Sequence, residues 1–327
     1  MKDLAVIEDF GSRLKDEFER TIIGYDKEMR LVLTGLLSKG HILLEGVPGI
    51  AKTTMAKALA KALNLRGEKT FQRIQCTPDL MPADVVGTLI YDPKTKDFLP
   101  HYGPVFTNFL LVDEINRAVP RTQSALLQAM QEREVTIGGA THGLNEPFFV
   151  VATQNPIEQE GTYPLPEAQL DRFIMKVKIG YPKTLEDEMK ILDLHEMRLT
   201  EPVEEFKTII DDPLQVCEMQ SLIAEKVTVP TLVKQYVADI VRYARVREEV
   251  NWGPSPRAGI YLMRSAKAYA TLSGRDIVQP EDVENVVYAV LNHRIILKAE
   301  MMIEGVRTED VIKDILRMAG KTVTKSV

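Results

Sequence analysis

The sequence predicts an α/β core built on a parallel sheet, followed by an all-helical domain. In the first 182 residues, short and nearly continuous apolar runs alternate with helical patterns, which is typical of parallel strands covered on both faces. After Pro182 most of the chain has helical spacing. Since 327 residues suffice for two domains, we predict one domain over 1–182 and a second over 183–327.

Five apolar runs are the predicted strands of the sheet: HILLEG (41–46), FQRIQC (71–76), FLLVDE (109–114), FFVVATQN (148–155) and FIMKVKIG (173–180). In the second domain, Thr184 and Asp187 have the spacing of a capping box, which predicts a helix that begins there. Pro230, Pro256 and Pro280 each stand where a further helix can begin.

The composition argues against several classes of protein. The net charge of −6 gives no overall basic field for nucleic acid, and no apolar run approaches the roughly 18–20 residues that span a membrane. The acidic start MKDLAVIEDF lacks the pattern of a secretory signal. Cys76 and Cys217 lie far apart and suggest neither a disulfide framework nor a zinc cluster. These features predict a cytoplasmic protein without membrane insertion.

Residues 44–54, LEGVPGIAKTT, differ at one position from the phosphate-loop pattern G-x-x-x-x-G-K-[ST], since Ala51 precedes the lysine. An apolar strand enters this segment and a helical pattern leaves it, so the free N–H groups of the helix would face an anion. Lys52 would reach the β- and γ-phosphates of ATP, and Thr53 would bind Mg²⁺. The alternative is a strand–turn–helix with a chance match. The residues expected to contact the nucleotide are Gly46, Val47, Pro48, Gly49, Ile50, Ala51, Lys52, Thr53 and Thr54.

Ala51 decides whether this loop can form. A left-handed alanine would cost roughly 1–2 kcal/mol. We therefore predict that Gly49 adopts the strained conformation, and that Ala51 is right-handed with its N–H directed at phosphate.

An apolar strand that ends in acid follows, 61 residues after Lys52. Asp113 and Glu114 stand at the carboxyl end of FLLVDE, where ligands bind in open α/β sheets. Asp113 is predicted to hold Mg²⁺, and Glu114 to act as general base on the attacking water. The alternative is a pair of surface carboxylates at a strand end.

Together these segments resemble the AAA+ ATPases, and within them the MoxR group. The resemblance covers nearly the whole chain and depends on GVPGIAKT, LLVDEINRA (110–118), TQSALLQAMQE (122–132), ATQNP (152–156), LPEAQLDRF (165–173) and SPRAG (255–259). The MoxR group resembles this chain in having alanine at the position of Ala51. The resemblance implies an AAA+ core with a helical lid, ATP and Mg²⁺ as ligands, and a homo-oligomer in the form of a hexameric ring.

The resemblance also implies roles near the base and the adenine. Asn155 would be the sensor that binds the attacking water and the γ-phosphate; the alternative is a turn residue before Pro156. Ile22, Ile23 and Gly24 are similar to the segment that packs on adenine, and would otherwise be core residues.

Two arginines resemble residues that contact the γ-phosphate. Arg172 is similar to an arginine finger, which acts on a neighbouring subunit; its alternative is an intrachain partner of Asp171 or Glu167, and Arg117 is a rival for the role. Arg257 is similar to a second sensor that couples the lid to the phosphate, with Ser255 and Pro256 able to begin its helix; its alternative is a surface arginine.

Two predicted hairpins, 85–106 and 133–148, would point into the pore of the ring. The MoxR resemblance implies a motor that remodels a protein client or helps to insert a metal, with a partner that carries a von Willebrand factor A domain. A magnesium-chelatase-like subunit is a close variant. The other class is a nucleic-acid motor, which shares both hairpins. Here the second hairpin tip, TIGGATHGLNEP, has no lysine, and Asp92 and Asp97 offset Lys94 and Lys96, which argues against nucleic acid. A nucleotide-locked scaffold is the third possibility, against which the intact catalytic pattern argues.

Overall fold

The computed structural model describes residues 4–65, 70–157, 161–196 and 201–324. The strands are β1 Ile42–Glu45, β2 Phe71–Gln75, β3 Gly87–Asp92, β4 Asp97–Tyr102, β5 Phe109–Asp113, β6 Glu134–Ile137, β7 Ala140–Gly143, β8 Phe149–Gln154, β9 Met175–Lys178, β10 Val250–Trp252 and β11 Ile296–Leu297. The helices are α1 Ala5–Glu19, α2 Asp26–Leu37, α3 Lys52–Ala62, α4 Pro82–Val86, α5 Pro120–Glu132, α6 Glu167–Leu170, α7 Leu185–Glu196, α8 Leu214–Lys226, α9 Thr231–Val246, α10 Pro256–Thr271, α11 Pro280–Leu291, α12 Ala299–Ile303 and α13 Thr308–Thr324. Short 3-10 helices cover Ile115–Arg117 and Pro202–Glu205.

A five-stranded sheet with the strand order β2-β5-β8-β1-β9 forms the core of the molecule. Neighbouring strands are parallel throughout, and residues such as Leu43 and Ala152 are register partners. All five residues of β5 are buried, as are the first three of β1. The five strands predicted from apolar runs are therefore confirmed, and their carboxyl ends meet at one edge.

Both predicted hairpins are present. Strands β3 and β4 pair antiparallel, and so do β6 and β7. Gly138 and Gly139 connect β6 to β7 with φ of 59° and 86°. Two consecutive residues with positive φ are typical of the tight turn that matches the twist of a hairpin. Gly138 packs against Leu89, so the two hairpins touch.

After β9 the described chain is mostly helical, as predicted. The backbone N–H of Asp187 donates to the Thr184 hydroxyl at 3.1 Å, which caps α7. Pro256 and Pro280 are the first residues of α10 and α11, and Pro230 immediately precedes α9. Ser255 stands at the N-cap of α10, but its side chain makes no capping hydrogen bond to the described residues. The boundary at 182/183 falls between β9 and α7 and stays a prediction.

Helices α1 and α2 precede the sheet in sequence but contact the helical part of the chain. Gly11 of α1 lies against Leu272, immediately after α10, at a distance that leaves no room for a Cβ. The Arg30 guanidinium of α2 lies 4.4 Å from the centre of the Tyr269 ring, and bonds to Ser273. The first two helices are therefore packed on the helical part. None of the helices in the described segments has the length and apolar character needed to cross a membrane.

Candidate nucleotide-hydrolysis site

The loop that follows β1 borders a cavity of about 270 Å³ at the carboxyl edge of the sheet. Gly46 packs against the backbone of Ile179, where a side chain would not fit. The cavity is lined by residues 48–54, Arg73, Gln75, Asp113, Glu114, Thr153 and Asn155. The sheet therefore brings together the loop, both predicted carboxylates and the predicted sensor.

The predicted conformation of Ala51 is wrong. Gly49 has φ of 79°, as expected, but Ala51 is also left-handed, with φ of 52° and ψ of 9°. Ala51 is the N-cap of α3, so the chain turns into the helix through this residue. The loop needs two left-handed positions, and only one of them is a glycine; the alanine carries a strain of roughly 1–2 kcal/mol.

Lys52 and Thr53 begin α3, at the positive end of its dipole. The Lys52 ammonium donates to the carbonyl oxygens of Gly46 and Val47, the latter at 2.9 Å. The lysine therefore lies over the loop that would hold phosphate, in a setting suited to an anion.

Asp113 is the most enclosed charged group of the cavity, with 5% of its side chain exposed. Its Oδ1 accepts from the Thr53 hydroxyl at 3.2 Å and from the Thr153 hydroxyl at 3.3 Å. Its Oδ2 accepts from Arg73 Nε at 2.6 Å. A hydroxyl and a carboxylate within hydrogen-bond distance, beside a phosphate loop, fit Mg²⁺, which prefers oxygen ligands and retains contacts to substrate phosphates. Thr53 and Asp113 would hold the ion, and its charge would neutralise the phosphates.

Glu114 has the strained conformation that is often found at functional sites, with φ of 55°. Its backbone N–H donates to the Thr153 hydroxyl at 2.9 Å. Its carboxylate accepts from Gln75 Nε2 at 3.0 Å and lies 3.1 Å from Arg117 Nε. Because this turn directs the carboxylate into the cavity, Glu114 is placed to accept a proton from a water molecule.

Asn155 is buried and follows β8 directly into the cavity. Its side-chain oxygen accepts from the backbone N–H of Ile157 at 3.2 Å, as a turn residue does. Among the described residues its Nδ2 group has no acceptor, so it can donate to the water or phosphate that a sensor would bind. The sensor and turn interpretations are therefore compatible.

Sequence reasoning missed Arg73 and Gln75. Both side chains contact the predicted carboxylates, and Gln75 is the register partner of Asp113. The signal was the presence of three polar residues, Gln72, Arg73 and Gln75, in the run FQRIQC, two of them close to the carboxyl end of a predicted strand. Cys76 follows, but burial, together with Asp113 and Glu114, raises the pKa of its thiol to about 12. The thiol therefore stays protonated and is no nucleophile.

The predicted adenine segment lies next to the phosphate loop but lines a separate cavity. Ile22, Ile23 and Gly24 border a space of about 670 Å³ together with residues of α7. The following Tyr25 hydroxyl donates to the carbonyl oxygen of Gly180 at 3.1 Å. This bond holds the segment at the end of β9, one residue from the Ile179 that packs on the loop.

Arg172 and Arg257 lie together, in a third cavity of about 270 Å³. Different residues line this cavity and the phosphate cavity. It contains five cationic side chains, Lys39, Arg133, Arg172, Arg257 and Arg264. Burial lowers the pKa of Arg133, and the nearby charge of Arg264 acts in the same direction. The two predicted arginines therefore line the same strongly cationic cavity. They do not line the cavity of the phosphate loop of their own chain.

The carboxylate of Asp171 does not pair with Arg172, which was one alternative for the arginine. Its Oδ1 lies 2.6 Å from Arg294 Nε, and its Oδ2 lies 3.5 Å from Arg257 Nη1. The rival arginine, Arg117, lies beside Glu114 of its own chain. Arg257 also departs from expectation, because it is directed at Asp171 and not back across the core.

Comparison with known proteins agrees with this geometry. Residues 41–175 match the family model of the ATPase family associated with various cellular activities (AAA), and residues 242–315 match the AAA lid domain. The uncharacterized protein YeaC of Bacillus subtilis is 43% identical over 95% of this chain and 94% of its own length. Chaperone MoxR1 of Mycobacterium tuberculosis is 44% identical over 92% of this chain and 79% of its own length. The crystal structure of a candidate ATPase from Cytophaga hutchinsonii has a TM-score of 0.86 at 41% identity, and covers 97% of this chain and 96% of that one.

Proposed function

The chain belongs to the MoxR group of AAA+ ATPases, and we propose that a ring of its copies uses ATP hydrolysis to remodel protein clients. ATPase activity follows from the family. The ring, expected to contain six copies, and the nature of the client are the proposed parts.

The observation that carries the ring is the position of Arg172 and Arg257. They share a cationic cavity that is separate from the cavity with Lys52 and Glu114. A phosphate-binding arginine that cannot serve its own site can serve the site of a neighbouring copy. We therefore assign both arginines to the γ-phosphate of the neighbour, where such a residue contributes about 10³–10⁵ in rate in well-studied nucleotide hydrolases.

Within each copy, the contacts around the loop support the remaining proposed roles. Lys52 would bind the β- and γ-phosphates, and Thr53 with Asp113 would hold Mg²⁺. Glu114 takes a proton from the attacking water, which Asn155 orients.

The client is proposed to be a polypeptide because of the first hairpin. Its large apolar side chains are exposed: Ile90 by 50%, Tyr91 by 50% and Phe98 by 60%. A contiguous exposed apolar surface is typical of protein recognition. Near its tip, Lys94 and Lys96 lie between Asp92 and Asp97, whose charges offset theirs, so phosphate contacts have little support.

A relative at 44% identity is named a chaperone, which supports the same class of activity. The partner with a von Willebrand factor A domain, metal insertion into a client and the cytoplasmic location stay predictions. The magnesium-chelatase-like variant also stays a prediction.

The test is Mg²⁺-dependent ATP hydrolysis against protein concentration, with and without single-stranded and duplex DNA. We expect the specific activity to rise with concentration and to ignore DNA, because each site needs a neighbour. Glu114→Gln is expected to bind ATP and to assemble, with hydrolysis reduced by about 10²–10⁴. Constant specific activity down to monomer concentrations would contradict the shared site, and strong stimulation by DNA would move the protein to the nucleic-acid motors.

A further inference from the structure

Arg294 is a buried arginine of the helical part that the proposed mechanism does not use. It lies between α11 and β11 and is 6% exposed. Burying a guanidinium is costly unless its donors are bonded. Burial lowers its pKa, which the neighbouring Asp171 opposes. The reason for such a group should therefore lie in what it contacts.

Its contacts converge on the segment that carries Arg172. The Nε group donates to Asp171 Oδ1 at 2.6 Å. The Nη2 group donates to the carbonyl oxygens of Asp171 at 3.0 Å and of Phe173 at 2.6 Å. The Nη1 group donates to the carbonyl oxygen of Ile174 at 3.2 Å. One guanidinium therefore holds the backbone on both sides of Arg172.

Neighbouring groups fix the guanidinium in turn. The Tyr261 ring of α10 has its centre 5.0 Å from the guanidinium carbon, a distance at which a cation–π interaction is favourable. The adjacent His293 is buried and lies 3.1 Å from the carbonyl oxygen of Phe173. The Nη1 group of Arg294 also donates to the carbonyl oxygen of Val290 in α11 at 2.5 Å. This clamp, the guanidinium of Arg294 with its bonds to residues 171–174, is thus attached to two helices of the helical part, α10 and α11.

Asp171 connects this clamp to the second arginine. One carboxylate oxygen binds Arg294, and the other faces Arg257 at the start of α10. Arg294 therefore holds the backbone on both sides of Arg172, and it also holds the carboxylate that faces Arg257.

We propose that Arg294 is a positioning residue that fixes the arginine finger to the helical lid, so that hydrolysis in the neighbouring copy depends on it. This rests on the proposed action of Arg172 on the neighbour. Arg294 itself touches no phosphate. A displacement of about 1 Å in a reacting group can cost about 10²-fold in rate, and we expect Arg294→Met to lower specific activity by about that factor.

Mixed rings separate this role from a general loss of stability. Arg294→Met subunits keep their own Lys52 and Glu114, but offer a misplaced finger to the neighbour. Mixed equally with Glu114→Gln, they should regain about a quarter of the wild-type activity, because half of the sites have the carboxylate and half of those face an intact finger. Mixed with Arg172→Ala, they should regain nothing, since no subunit then supplies a working finger.

Arg275→Met is the matched control. Arg275 also bonds a buried lid carboxylate, with Nη1 2.7 Å from Asp282 Oδ2, but this pair lies apart from the finger segment. The Arg275→Met variant should lower stability, but it should not show restoration by Glu114→Gln alone. Affinity for a fluorescent ATP analogue should stay within twofold of wild type in Arg294→Met, because the phosphate cavity is unchanged.

The outcomes separate two failures. If Glu114→Gln and Arg172→Ala do not restore each other, the shared site is wrong and the positioning role falls with it. If Glu114→Gln and Arg172→Ala do restore each other, the shared site holds. If Arg294→Met is then restored by both of these variants, or by neither, only the positioning role is wrong. Should Arg294→Met fail to fold, Arg294→Lys keeps the charge without the planar fork, and about a tenfold loss with the same selective pattern is expected. Arg294→Lys activity equal to wild type, or equal restoration by both partners, would overturn the proposal.

Discussion

Stability at mildly acidic pH is expected to depend on His41, which stands immediately before β1. The ring is buried: Nε2 lies 2.9 Å from the carbonyl oxygen of Met130, and Nδ1 lies 3.0 Å from the backbone nitrogen of Val150. The neutral imidazole satisfies both partners, with a proton on Nε2. Burial lowers the pKa of His41 from 6.5 to about 4, and the nearby Arg133 acts in the same direction.

The sign follows from which state binds the proton first. The folded pKa lies below the unfolded one, so the unfolded chain is protonated first as the pH falls. The contribution of neutral His41 to the free energy of unfolding is complete above pH 6.5 and is lost between pH 6.5 and about pH 4. At about 1.36 kcal/mol per pKa unit, the total loss is about 3 kcal/mol, of which about 2 kcal/mol is lost by pH 5.

The assay is urea unfolding followed by circular dichroism, at several pH values from 7.5 to 5. His41→Gln, whose amide can still donate to the Met130 oxygen, should remove about 2 kcal/mol of this pH dependence. Burial also lowers the pKa of His293, so only the difference between wild type and variant isolates His41. The exposed His101→Gln is the matched control. Parallel stability curves for wild type and His41→Gln would refute the reasoning.

Three further changes test the site and the hairpin. Ala51→Gly should raise stability by up to about 1 kcal/mol in thermal unfolding, because relief of roughly 1–2 kcal/mol exceeds the flexibility cost of glycine; a marked loss would contradict the left-handed conformation. Thr153→Val should cost about 1–3 kcal/mol and slow hydrolysis, since Glu114 N–H and Asp113 lose their hydroxyl partner; Thr153→Ser should retain both properties. Joint replacement of Tyr91 and Phe98 by serine should abolish capture of an unfolded polypeptide and leave ATP hydrolysis within twofold; unchanged capture would count against the hairpin surface.

The sheet and both hairpins could be predicted because their signals are local. Five apolar runs identify the buried strands, and the Gly138–Gly139 pair identifies a tight turn. The phosphate loop and the Asp113–Glu114 pair were equally visible, because the chemistry requires those residue types at the end of a strand.

Other features depend on contacts between distant segments. The left-handed Ala51 follows from how the loop joins α3, and no residue pattern distinguishes it from a right-handed alanine. The location of Arg257 depends on how the helical part packs on the core. Arg294 meets Asp171 across 123 residues of chain, so no spacing in the sequence connects them.

The segment between the carboxylate edge and the second hairpin contains helix α5 and has a left-handed residue at each end. Glu114 and Arg133 are left-handed, with φ of 55° and 57°. Between them lie the 3-10 helix Ile115–Arg117 and the 13-residue helix α5, which is about 20 Å long. β6 begins immediately after Arg133. A backbone rotation at Glu114 is therefore expected to displace the carboxyl end of α5 and, with it, the second hairpin. Because Gly138 packs against Leu89, the first hairpin is expected to move with the second.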